Sequence, residues 1–183
     1  MKILVLGIGN LLLSDEAVGV RIVEALDQHY AFTPEIDIVD GGTAGMELID
    51  TMANREHLIV ADAVLTGSAP GTVTVLRNDD VPALFTRKIS PHQLGLSDVL
   101  MALRLTDEFP GELTLVGVEP ASLEPAITLS ASVELAVVPA MQTILGVLRE
   151  CGVTFRKKTV QERAQQPKNC LSRPLPLTLE TPS

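Results

Sequence analysis

The chain has 183 residues, 46% hydrophobic content, two cysteines and a formal net charge of −9. That length and apolar fraction suit one domain with one substantial core, and two cysteines without a Cys-x-x-Cys spacing give no disulfide framework, which fits a cytoplasmic chain. Residues 156–183 hold six Lys and Arg against two Asp and Glu, leaving −13 on residues 1–155, a body that repels nucleic acid and favours a cation, a metal or a basic peptide.

The first apolar run, Ile3 to Leu6, reads as a buried strand and not a secretory signal: Gly9 and Asn10 interrupt it, and Asp15 and Glu16 follow without a small-residue cleavage site. The next segment, GIGNLLLSDEA from Gly7 to Ala17, puts two carboxylates where a glycine-rich turn between strand and helix usually receives a phosphate. Val18, Ile22, Val23 and Leu26 then mark the inner face of a first helix. Ile36 to Val39 predicts a second strand ending at Asp40, before Gly41, Gly42 and Thr43. A short helix is expected from about Gly45 to Met52, and a third strand from Leu58 to Ala61, ending at Asp62. Only Val64 to Gly71 separates this from a fourth strand, Val73 to Leu76. A parallel crossover needs a dozen or more residues, so the fourth strand is expected to be antiparallel and at an edge.

A long connection, Asn78 to Leu94, carries KISPHQLG, and long connections inside compact domains are usually functional. Leu96, Val99, Leu100 and Leu103 predict a further helix, Leu113 to Val118 a fifth strand, and Met141, Ile144, Leu145 and Leu148 a last helix. Glu134, Pro139 and Gln142 interrupt the apolar stretch Val133 to Leu148, which falls short of the roughly 20 residues that span a bilayer, so no membrane crossing is expected. Alternating strands and helices predict an α/β layered fold with a mostly parallel five-stranded sheet and one antiparallel edge strand. A single domain over 1–155 would be followed by a disordered basic tail, 156–183.

Open α/β sheets bind ligands beyond the carboxyl ends of their strands, and here those ends are acidic. Glu16, Asp62 and His92 could supply two carboxylates and an imidazole, an O,O,N set suited to a divalent first-row metal with positions left open. Each has a plainer reading. Glu16 could complement a helix dipole, with Asp15 the better candidate for capping the first helix. Asp40 could make an Asx turn, Asp62 could bond backbone at a strand end, and His92 could be an exposed loop histidine. Glu119 beside Pro120 reads as a surface turn, and His29 and His57 as structural.

The segments GIGNLLLSDEAVGVRIVEAL, DGGTAGMELI, MANREHLIVADAV, APGTVTVLR, VPALFTRKISPHQLGLSDVLMALR and LTLVGVEPASLEP together resemble the nickel-iron hydrogenase maturation endopeptidases over about residues 1–152. The resemblance implies a three-layer sandwich, a twisted sheet with helices on both faces, and a cytoplasmic aspartyl-type or metal-dependent peptidase. Its partner would be the hydrogenase large-subunit precursor, whose carboxyl-terminal extension is removed after nickel insertion. Glu16, Asp62 and His92 would be its metal ligands, holding nickel supplied with the substrate or another divalent transition metal, and Asp40, Gly41, Gly42 and Thr43 its substrate-cleft loop. With neither a Ser-His-Asp order nor His-Glu-x-x-His, no nucleophile or general base is assigned. Two alternatives stay open. A dinucleotide-binding oxidoreductase would use Gly7 and Gly9 with Asp40, although Leu12 stands where its third glycine belongs. A non-catalytic nickel-binding accessory protein would use the same ligands without cutting.

Overall fold

The computed structural model describes residues 2–81 and 91–166, except the side chains of residues 91–94. Strands β1 (Ile3–Ile8), β3 (Asp37–Gly42), β4 (His57–Ala63), β5 (Val73–Arg77) and β6 (Glu112–Val118) form one sheet in the order β3-β1-β4-β6-β5. The first four in that order run parallel, and β5 lies antiparallel on β6 at the edge. The nine-residue connection before β5, Val64 to Thr72, is too short for a crossover, which is why the sheet turns back there.

Helices cover both faces because the central strands bury both sides of their pleat. Ile3, Val5, Ile59, Ala61, Val116 and Val118 pack with α1 (Val18–His29) and with α4 (Ala131–Glu150), the fourth helix once α2 (Ile49–Met52) and α3 (Pro91–Leu105) are counted. The alternate residues Leu4, Leu6, Leu58, Val60, Leu113 and Leu115 pack with Met52 of α2 and Leu96, Val99 and Leu103 of α3. By length and composition α4 could cross a membrane, but its stripe Val133, Val137, Ala140, Ile144 and Leu148 is buried in the core on α1 and β6. The expected short helix divides into a 3-10 turn, Met46–Leu48, and α2.

A second, two-stranded sheet was not expected. β2 (Tyr30–Thr33) pairs antiparallel with β7 (Thr154–Lys157), and α5 (Val160–Gln165) follows, its start fixed by a capping box between Thr159 and Glu162. The boundary at residue 155 is thereby corrected: Arg156 and Lys157 complete a strand, and residues 158–166 continue as structure, while residues 167–183 lie outside the described residues. Ring contacts fix this corner, with Phe155 edge-on to Tyr30 at 5.7 Å and 6.4 Å from Phe32. A half-buried phenylalanine and two such contacts are worth at least about 2 kcal/mol. A chain ending at Val153 is therefore expected to melt at least about 4 °C below the full chain; an unchanged melting temperature in a thermal scan would contradict this.

Candidate active site

The chain leaves β1 through α1 to reach β3 on one side, then returns through α2 on the opposite face to β4 on the other. The β1/β4 boundary is thus the topological switch point, where the carboxyl ends of parallel strands open a crevice. Glu16 and Asp62 both stand beside it. Glu16 sits in a 3-10 turn, Ser14–Ala17, that packs on β4, and Asp62 stands one residue from the end of β4, opposite Gly117 of β6. Asp62 is completely buried and Glu16 is 6% exposed. Along β4, Asp62 follows Leu58 and Val60 on the α3 face of the sheet.

Close backbone packing fixes this geometry. A Cβ on Gly19 of α1 would lie 2.1 Å from the carbonyl oxygen of Ala61 and 2.4 Å from that of Ile8. Only glycine lets α1 rest on both strand ends at once, directly before Asp62 and Gly9. Gly19 thus fills the packing role of the third glycine missing at Leu12.

The plainer reading holds for Asp40. Its exposed carboxylate accepts the Gly42 N–H at 2.8 Å in an Asx turn, and Gly42 takes φ +51°. Register shifts here, Gly7 facing Asp40 but Ile8 facing Gly42, so Gly41 is the bulged residue, packed against Leu6 and Leu48. Thr43 is exposed beyond it, in the loop at the carboxyl end of β3.

His92 corrects an expectation about the chain, since it lies in the first turn of α3 and not in a connection running to Leu94. Pro91 explains this early start: its missing N–H is no loss at the first helical position. Three residues on, Gly95 abuts Gly45, just beyond the Asp40 loop, so the start of α3 stands at the same rim. The His92 side chain is outside the described residues. Among the described residues, no group of three or more His, Cys, Asp or Glu is placed to hold a metal ion.

Two carboxylates have structural roles that local sequence did not show. Asp15 does not cap α1; its carboxylate turns to the connection between β6 and α4. Glu119, 5% exposed, accepts hydrogen bonds from the Thr66 N–H and hydroxyl, both at 2.8 Å, and from the Gly67 N–H at 3.1 Å, which pins the connection before β5. The glycine-containing segment LTGSAPG beside a strand-end carboxylate was the available signal.

At the opposite end of the sheet, His57 is structural as expected. Its Nδ1 lies 3.1 Å from Cys151 Sγ and its Nε2 2.8 Å from Thr114 Oγ1. Burial holds the imidazole pKa below its usual value. Burial, with Glu112 and Glu150 nearby, pushes the Cys151 thiol up, so the pair stays neutral.

Residues 20–147 match the model of a family described as hydrogenase maturation protease. The chain is 63% identical over 154 residues to the hydrogenase 2 maturation protease of Escherichia coli K12, covering 84% of this chain and 94% of that protein. It is 45% identical to the hydrogenase expression/formation protein HupM of Azotobacter chroococcum, covering 83% and 74%. Among solved structures, the hydrogenase maturating endopeptidase HybD from E. coli superposes with a TM-score of 0.83 at 61% identity, covering 86% of this chain and 98% of that one. A maturation protease from Thermococcus kodakarensis, 22% identical with a TM-score of 0.69, shares the fold.

Proposed function

The chain belongs to the hydrogenase maturation protease family and is an endopeptidase, and we propose that it removes the carboxyl-terminal extension of a nickel-iron hydrogenase large-subunit precursor in the cytoplasm after nickel insertion. The observation that carries this reading is the placement of two buried carboxylates, Glu16 and Asp62, at the switch point. Buried carboxylates in one crevice repel, and a cation between them offsets that repulsion. With His92 as a third donor the set suits a borderline divalent cation and leaves coordination positions open. Nickel held by the precursor is then part of the substrate: an empty precursor meets two unscreened anions, and a loaded one meets ligands.

In this reading Glu16 and Asp62 bind and orient the loaded precursor, and the open Asp40–Thr43 loop receives the segment to be cut. Asp40 faces solvent with one oxygen committed to Gly42, so its second oxygen is available to a basic residue before the scissile bond.

Incubation with nickel-loaded and nickel-free precursor, read as the size of the large subunit, tests the proposal. Trimming of the loaded form alone is expected. Equal trimming of both would remove nickel from recognition, and trimming of neither would exclude this substrate.

A further inference from the structure

The buried carboxylate of Asp15 accepts four hydrogen bonds. They come from the N–H groups of Ala121 (2.8 Å), Ser122 (3.0 Å) and Ser130 (2.7 Å), and from the Ser130 hydroxyl (2.8 Å). All the donors belong to the connection between β6 and α4, and Ser130 is the residue that opens α4. The negative charge expected near the start of α1 is instead set at the start of α4, where the helix dipole favours it.

Backbone contacts fasten the same two segments. The Ser14 N–H reaches the Ala126 carbonyl at 2.9 Å, the Ala126 N–H reaches that of Leu12 at 3.0 Å, and the Asp15 N–H reaches that of Ser122 at 3.2 Å. The Ser14 hydroxyl donates to the Glu124 carbonyl. Residues 121–130 otherwise hold no strand or helix beyond the single bridge between Leu13 and Ala126, and most are exposed. Such a connection keeps one conformation only when its backbone groups are tied down, and bonds to a carboxylate are about twice as strong as neutral ones.

The geometry points to Asp15 as a positioning residue for the cleavage reaction: it clamps the 121–130 segment to the turn that carries Glu16, so that this segment and the Glu16 turn are held as one unit. This rests on the reading of Glu16 as a contact for the loaded precursor. Asp15 reaches the reaction only through its neighbour, because the described bonds of its carboxylate all go to protein donors.

Asp15→Asn is the test, since an amide turns an N–H donor toward at least one of those four donors. Small misplacements of binding groups cost large factors in rate, so trimming of nickel-loaded precursor is expected to fall about 10-fold or more. Amide exchange of residues 121–130 should speed up while β1 and β4 stay protected. A covalent clamp supplies the rescue: Leu13→Cys with Ala126→Cys, paired across the bridge, is added to Asp15→Asn and assayed oxidised and then reduced, with the reagents removed. Oxidation is expected to restore both protection and trimming, and reduction to return both to the level of Asp15→Asn.

The clamp is overturned if Asp15→Asn trims at the wild-type rate, if trimming is lost while exchange in 121–130 is unchanged, or if the oxidised variant regains protection without trimming. Glu16→Gln is run alongside. If it trims normally, the reading of Glu16 fails and takes the clamp with it; if it is inactive while Asp15→Asn is normal, the clamp alone fails.

Discussion

Asp62→Asn is expected to abolish trimming of the nickel-loaded precursor while the protein stays folded. The side chain is completely buried at the end of β4, but the packing of that strand is carried by Leu58, Ile59, Val60 and Ala61, all equally buried. Asparagine keeps the shape and removes the charge. Losing one partner of a buried charge contact costs about 2–5 kcal/mol, a loss of roughly 30-fold to several thousand-fold. Asp62→Ala should be nearly as inactive, because the missing quantity in both is the anionic ligand. Far-ultraviolet dichroism and the melting temperature should remain close to wild type for Asn. If both variants trim loaded precursor at the wild-type rate, Asp62 is a strand-end residue without a part in recognition, and shared nickel must be given up.

The five strands of the main sheet were legible because each is a short apolar run closed by Gly, Pro, Asp or Asn, and the antiparallel edge was legible from the length of one connection. The β2/β7 pair was not. Tyr30–Thr33 continues out of α1 without a turn signal, and β7 alternates Phe155 and Lys157 with Thr154 and Arg156, a composition that reads as a tail. What orders it is a partner far away in sequence, which local periodicity does not encode.

The site divides the same way. Glu16 and Asp62 could be placed by the rule that ligands collect at strand ends, and the fold brings both to the switch point. Asp15 and Glu119 resisted that rule, since their meaning lies in N–H groups of distant connections. Adjacent acids in one turn, Asp15 and Glu16, point to different tasks, and only the tertiary partners separate them.

Gly19→Ala should produce a marked loss of stability for so small a substitution. In a helix, Gly→Ala ordinarily gains about 1 kcal/mol. Gly146 in α4 provides the control, because a Cβ there meets nothing within 4 Å, and Gly146→Ala is expected to hold or raise the melting temperature. At Gly19 the same methyl meets the carbonyl oxygens of Ala61 at 2.1 Å and Ile8 at 2.4 Å. Both obstacles are backbone of central strands, so no rotamer change relieves them and α1 must lift. Overpacking of this kind costs about 1–3 kcal/mol, occasionally more, and with two backbone clashes the upper end applies. The helical gain offsets only part of it, which leaves a net loss of about 2 kcal/mol and a melting temperature lower by roughly 4–8 °C. The lift also moves the turn before α1, and with it Glu16 relative to Asp62. Trimming by Gly19→Ala, assayed well below its melting temperature, should therefore fall further than its folded fraction accounts for. Equal melting temperatures for Gly19→Ala and Gly146→Ala would show that α1 does not bear on the strand ends as closely as described.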